Sequence, residues 1–269
     1  MESRRMDYHL HTNHSMDGRQ TMDELCQTMI ERGVHEICLT EHIEPGHPEP
    51  WADKPPVWAD WLADIERCRA QYPQIVLRSG IEIGDNPGYE KQIEDMLAPL
   101  DLDFRMLSLH LVNGRDCYFE GYFDGRTRDE CYREYAEAKA ASVMRWKDFD
   151  AVSHIGYVAK FAPFTGPERP LCYNDAPDAF DALLKYVIDN GKCIEVNTSG
   201  YGTTGDSLPH TSILRRYIEL GGDTFTFGSD SHATDRDYAD IERAKDVVRA
   251  LGGKWQASFC QREKTLYKL

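Results

Sequence analysis

Short apolar runs alternate along the chain with windows in which apolar side chains recur every three or four positions. The runs predict strands at 6–9, 36–40, 75–82, 104–110, 151–154, 192–197 and 224–228. The windows between them predict helices at about 58–71, 88–98, 127–146, 176–190, 209–220 and 235–251. A further helix opens at Thr21-x-x-Glu24, a capping box, and stops at Gly33, a residue suited to the left-handed turn after a helix. The segment "KWQASFCQREKTLYKL" adds one or two short strands. Strand and helix alternate without a long break, which predicts an α/β protein whose parallel sheet closes, or nearly closes, into one TIM-like barrel domain over residues 1–269. An open doubly wound sheet fits less well, because no G-x-G-x-x-G follows the first strand. Two Pro-rich stretches, 44–58 and 161–177, read as long ordered loops.

Composition narrows the class without selecting an activity. Hydrophobic residues make up 41% of the 269, which is ordinary for a globular protein. No apolar run approaches the length of a membrane span, and no apolar stretch of the signal-peptide kind precedes the first strand, so a cytoplasmic protein without a membrane partner is expected. The eight cysteines include no C-x-x-C pair, and they read as reduced thiols rather than a disulfide framework or a thiolate zinc site. A formal charge of −15 and the lack of a basic stripe argue against long nucleic acid as a partner. Nothing in the pattern selects an oligomeric state.

The chemistry lies at the strand ends, where a βα barrel gathers its functional groups. The first strand ends in His9 and His11, the second in Glu41 and His42, the third in Glu82, and the fourth in His110. The fifth ends in His154, the sixth in Glu195 and Asn197, and the seventh in Asp230 and His232. Each alone has a plain structural reading: a surface pair for H-x-H, a salt bridge for Glu82, a helix cap for "SDSH". Together they place an imidazole or carboxylate at the same end of every predicted strand, a pattern that points to a metal site. The two histidines of H-x-H also share one face of a strand. His14, His35, His47 and His210 are read as exposed or hydrogen-bonding histidines outside the site. Trp51, Trp58 and Trp61 are read as packing residues.

In order along the chain, "DYHLHT", "TEH", "GIEIG", "SLH", "SHIGY" and "GSDSH" resemble the PHP (polymerase and histidinol phosphatase) metallo-phosphoesterases. "LSLHLVNGRDCYFEGYFDG" and "EVNTSG" are most similar to the histidinol-phosphate phosphatase branch of histidine biosynthesis. The resemblance implies a distorted (βα)7 barrel with three divalent ions, zinc, manganese or iron. It implies a first ion on His9, His11, Glu82 and Asp230, with Glu82 bridging to a second on His110 and His154. The third would lie on Asp17, where some members carry a histidine, with His42 and His232. Glu82, Asp230 and His232 are the expected catalytic residues, acting on a small phosphate ester through a metal-activated hydroxide. Glu41 is read as orienting a ligand, accepting a substrate amine or forming a structural salt bridge, and Glu195 and Asn197 as hydrogen-bonding groups behind the ligands or at the strand end rather than ligands themselves.

The branch carries a phosphate-gripping arginine soon after "SHIGY" and another after "NTSG". Here Lys160 occupies the first place and "YGTTGDS" supplies none, which makes Lys160, Arg115 and Arg169 the candidate substrate-binding residues. The expected function is therefore a phosphomonoesterase for histidinol phosphate. The alternative is a PHP-type phosphodiesterase, exonuclease or phosphatase acting on nucleotides or another small ester. An amidohydrolase fits less well, since the fourth strand has no lysine to bridge two ions. A metal-binding module without turnover is the remaining reading.

Overall fold

A computed structural model describes residues 4–234 and 238–269. In chain order the elements are β1 (Met6–Leu10), α1 (Met22–Glu31), β2 (Glu36–Ile43), α2 (Trp58–Gln71), β3 (Val76–Gly84), α3 (Glu90–Leu97) and β4 (Phe104–Ser108). A hairpin of β5 (Leu111–Val112) and β6 (Arg115–Asp116) follows, then α4 (Arg128–Arg145), β7 (Ala151–Val152), α5 (Tyr157–Phe161) and α6 (Pro177–Asp189). The remainder is β8 (Cys193–Asn197), α7 (Tyr201–Thr204), α8 (Thr211–Glu219), β9 (Thr224–Gly228), α9 (Ala239–Leu251), β10 (Trp255–Cys260) and β11 (Glu263–Lys268).

Strands β1, β2, β3, β4, β7, β8 and β9 pair in that order, all parallel. The two ends of this sheet meet beyond β9, where Asp230 N donates to His9 O at 2.9 Å and His11 N donates to Ser231 O at 3.0 Å. This is the barrel the alternation predicts, with seven parallel strands.

The helices seal the outside with apolar stripes. Leu39, Ile81, Leu107, Val196 and Phe227 from the strands pack with Trp61, Ile65, Val143, Leu184 and Val248 from the helices in one buried cluster. The capping box at Thr21 and Glu24 forms as expected, and a second one at Thr127 and Glu130 opens α4. Each such cap contributes roughly 1 kcal/mol.

The amino end of the barrel is plugged. Met6, Tyr8, Phe104 and Met106 fill its interior together with Ala257 and Phe259 from β10. β10 pairs with β9 only at Trp255 and Gln256, then crosses beneath the barrel, where Phe259 N donates to Tyr8 Oη at 2.7 Å. Beyond it, Gln261 N reaches the Asp103 carboxylate at 2.9 Å and Arg262 Nε reaches Asp150 at 2.5 Å, below β4 and β7.

β1 changes face part-way along. Met6 and Tyr8 point into the plug, but Leu10 belongs to the outer shell, and His9 and His11 take the inward positions. The register between β1 and β2 shifts between Asp7 and Leu10, and this irregularity re-aims the alternation. It puts aromatics at the bottom of one strand and imidazoles at its top.

Some boundaries differ from the sequence expectation. The strand expected at 104–110 stops at Ser108, and His110 lies at the base of the β5–β6 hairpin, its carbonyl accepting from Cys117 N at 3.2 Å. Asn113 and Gly114 form the turn, both with positive φ, which is the Asn-Gly hairpin chemistry. Of the helix expected from 235, residues 235–237 lie outside the described residues, and α9 begins at Ala239. The short helices α5 and α7, of five and four residues, were not anticipated from the pattern.

Candidate metal centre

The carboxyl ends of the strands bring the expected ligands into one buried cluster. Donor atoms lie close enough to share an ion in four overlapping sets: His9, His11 and Asp230; His9, Glu82 and His154; His42, Glu82 and His110; and His11, His42 and His232. Asp17 Oδ2 is 3.1 Å from His232 Nε2 and 3.7 Å from His42 Nε2. Glu82 is central. One of its oxygens is 3.0 Å from His9 Nε2 and 3.2 Å from His42 Nδ1, and the other is 2.8 Å from His154 Nε2 and 3.4 Å from His110 Nε2.

Glycine makes two of these approaches feasible. A Cβ on Gly228 would lie 2.3 Å from His9 Cβ and 2.4 Å from the Glu195 carboxylate, so a side chain there would push β1 and β8 apart. A Cβ on Gly84 would lie 1.8 Å from the Glu44 carboxylate. Two positions after Gly228, Asp230 takes φ +55, a left-handed turn that aspartate tolerates, and this bends the chain back toward β1.

A ring of carboxylates holds the imidazoles from behind. His9 Nδ1 donates to Glu195 at 2.6 Å, and the other Glu195 oxygen accepts from His154 N at 2.7 Å. His110 Nδ1 donates to Glu44 at 2.7 Å. Glu41 reaches no imidazole; it accepts from Thr12 Oγ1 at 2.6 Å and Ser15 Oγ at 2.5 Å, and so ties the loop after β1 to β2. Asn197 accepts from Ser199 N at 2.9 Å and donates to Glu195 at 3.2 Å. Glu195 and Asn197 thus stand behind the imidazoles of the cluster.

The electrostatics are those of a site built for cations. Burial would raise the Glu82 carboxyl, but the imidazoles of His9 and His42 outweigh it and hold the group well below the usual carboxylate range. Asp230 is likewise buried yet held low, by Lys160 and His9. Burial opposes a charge on His42, but Glu82 and Asp17 push it up to about 9. His11 goes the other way, its basicity depressed by burial and by His232 and His42.

Among the described residues, His11 Nε2 and His42 Nδ1 are buried without a hydrogen-bond partner. His11 Nε2 is 3.4 Å from Glu82 and 3.5 Å from Asp230, the arrangement of a metal-ligand donor beside carboxylates. The residues fit divalent cations held by mixed imidazole and carboxylate ligands.

The pocket above the cluster is lined by Asp17, Arg19, Glu44, Asp116, Tyr118 and Lys160 among others. Lys160 Nζ donates to Asp230 at 2.8 Å. Arg115 and Arg169 are not among the lining residues: Arg115 lies 3.7 Å from Glu134, and Arg169 donates to the Lys160 carbonyl at 2.8 Å. His47, read from sequence as lying outside the site, lines the pocket, with Nε2 3.1 Å from Asp116. Trp61 is fully buried and Trp58 packs against it at 5.9 Å, but Trp51 is 46% exposed and lines the pocket. Glu44 and Arg19 were missed altogether. Glu44 shows its role only through a partner 66 residues away, and Arg19 sits in a polar loop without a motif.

A seven-stranded parallel barrel with buried imidazoles and carboxylates converging at its carboxyl end defines a metal-binding barrel of the hydrolase type. The PHP domain profile matches residues 7–199, and the chain belongs to the PHP family. It is 24% identical to the histidinol-phosphatase of Lactococcus lactis, over 95% of this chain and 94% of that protein. It is 28% identical to a probable histidinol-phosphatase of Clostridium acetobutylicum, over 85% and 87%. Among solved structures, histidinol phosphate phosphatase from Lactococcus lactis, in complex with zinc, L-histidinol and phosphate, superposes with a TM-score of 0.91. That match has 23% identity and covers 97% of this chain and 99% of that one. Among the described residues, no helix is long and apolar enough to cross a membrane.

Proposed function

We propose that the protein is a metal-dependent phosphomonoesterase that converts L-histidinol phosphate and water to L-histidinol and phosphate, a step of histidine biosynthesis. The observation that carries this reading is the buried cluster around Glu82, built in a chain that matches histidinol-phosphatases over nearly its whole length. Three divalent ions are the expected complement, with zinc favoured over manganese or iron because the Lactococcus structure holds zinc. His9, His11, Glu82 and Asp230 would hold the first. Glu82, His110 and His154 would hold the second, and Asp17, His42 and His232 the third. When bound, such ions supply Lewis acidity toward phosphoryl oxygens and a water acidified to near neutral pH.

The chain's own groups do the positioning. Glu195 and Glu44 fix the rings of His9 and His110 so that their Nε2 atoms face inward. Lys160, within 2.8 Å of Asp230, places a positive charge beside the reacting phosphate. Asp116, paired with His47, and the aromatic side chains of Tyr118, Tyr157 and Phe161 line the remainder of the pocket and suit a cationic, imidazole-bearing leaving group.

The test is phosphate release from histidinol phosphate against a panel of phosphomonoesters and short nucleotides, with metals quantified in the same preparation. Selective turnover of histidinol phosphate with close to three ions bound is expected, and chelation should abolish it. A different preferred ester would overturn the substrate, and turnover by metal-free protein would overturn the mechanism.

A further inference from the structure

We infer that Arg19 binds the substrate's phosphate, as a guanidinium fork at the mouth of the pocket. The inference rests on the phosphatase reading of this site and adds to it a residue that no ligand motif contains.

Five carboxylates, Asp17, Glu44, Glu82, Asp116 and Asp230, line the pocket, together with two basic side chains, Arg19 and Lys160. A phosphate monoester is a dianion at neutral pH, and a cationic side chain at the rim of the pocket favours its binding alongside the ions. Lys160 is already engaged, its ammonium 2.8 Å from Asp230. The Arg19 side chain has no carboxylate or hydrogen-bond partner among the described residues and is exposed toward the pocket. Several arginines elsewhere are closely paired: Arg67 with Asp23 and Asp64, Arg128 with Asp175, Arg216 with Asp181 and Arg262 with Asp150. Arg133 and Arg215, like Arg19, have no ion-pair partner among the described residues, but Arg19 is the arginine that lines this acidic pocket.

Its backbone, by contrast, is fixed. Arg19 N donates to His232 O at 2.9 Å, Asn13 N donates to Gln20 O at 2.8 Å, and the Gln20 amide donates to His11 O at 2.7 Å. The residue is therefore anchored between the ends of β1 and β9, two positions from Asp17 and against His232, with only the side chain free to move. Phosphate oxygens drawn to an ion on Asp17, His42 and His232 would lie on this side of the pocket. A guanidinium presents paired N–H donors that match two phosphate oxygens. It would repel a cationic leaving group, so the phosphate is the part of the substrate it suits.

The experiment compares the metal-loaded full chain with Arg19→Ala and Arg19→Lys. Inorganic phosphate binding is measured by calorimetry and by competitive inhibition, KM and kcat with the preferred ester, and metal content on each preparation. Arg19→Ala should weaken phosphate binding and raise KM by tenfold to a hundredfold, the loss of a charge-assisted pair, with kcat changed much less and metal content unchanged. Arg19→Lys should recover part of that loss, because an ammonium keeps the charge but not the fork. Phosphate affinity of Arg19→Ala within twofold of wild type would overturn the inference, and so would a loss that follows a loss of metal. Because the probe is inorganic phosphate, the result is independent of the ester: failure of the wild type to turn over histidinol phosphate would sink the proposed function and leave the Arg19 comparison standing.

Discussion

Glu44 accepts a 2.7 Å hydrogen bond from Nδ1 of His110, which leaves Nε2 of that ring 3.4 Å from Glu82 and 3.4 Å from His154. The carboxylate thereby selects both the tautomer and the direction of an imidazole that faces the cluster. Despite its burial, Glu44 stays ionised, its carboxyl held at about 2 by His110 and His42. Glu44→Ala should weaken metal binding by roughly tenfold to a hundredfold, as removal of such supporting carboxylates generally does. Chelator competition reads this directly, and unchanged affinity would show that the ring is held by packing alone.

Gly84 should prove as important as Glu44, though it carries no functional group. A Cβ there would lie 1.8 Å from the Glu44 carboxylate, so Gly84→Ala should displace Glu44 and reproduce the metal loss. The Gly84→Ala/Glu44→Ala double variant should then be no worse than either single one, since both act through the same contact. Additive losses would mean that Gly84 acts by another route.

His9→Ala and Asp230→Asn should each abolish turnover and deplete bound metal while leaving the circular dichroism of the barrel intact. Both residues are buried at the centre, with His9 Nε2 3.0 Å from Glu82 and 3.6 Å from Asp230. Retained activity in either variant would eliminate this cluster as the reaction centre.

Lys139 predicts a pH dependence of stability. Its side chain is fully buried in α4, and Nζ donates to Leu107 O at 3.0 Å. Burial draws the amine down to about 7, against the pull of Glu82, Asp85 and Glu195. Its folded pKa thus lies below the unfolded value of 10.5, and between the two the unfolded chain binds more protons. Stability should rise with pH through that window, by at most ~1.4 kcal/mol per pH unit, and the contribution should be flat below it. Lys139→Met removes the titrating group, so its advantage over wild type should shrink as pH climbs from 7 toward 10. Denaturant unfolding at several pH values measures the gap; a constant gap would refute the assignment.

Much of this site was legible because most of the candidate ligands lie at or just past a strand end, and strand ends follow from local hydrophobic pattern. His9, His42, Glu82, His154 and Asp230 could be placed without knowing which strands were neighbours. What the pattern could not carry were relationships made across the barrel. Glu44 looked like one more acidic residue in a Pro-rich loop until β3 and the hairpin brought His110 against it. His47 looked peripheral until the same hairpin delivered Asp116 to within 3.1 Å. The hairpin itself had a signal, Asn113-Gly114 between paired dipeptides, but it lay beyond the strand expected at 104–110 and no element was assigned to it. The switch of face within β1 was also unreadable, because a register shift belongs to the pairing of two strands and not to either sequence.

The plug beneath the barrel bears on the order in which the protein is made. Tyr8, between Asp7 and His9, takes its hydroxyl contacts from Glu36, Ser258 and Phe259, the last two 250 or more residues downstream. Asp230 and His232 also lie late in the chain, on the far side of the closure with β1. The histidines that emerge first from the ribosome thus acquire their final setting only when β9 and β10 have followed. Until then the His-x-His pair lacks Asp230 and His232, and its hold on any ion is weaker. Metal uptake is therefore expected late in synthesis, as a seal on a nearly finished barrel rather than a seed for its folding.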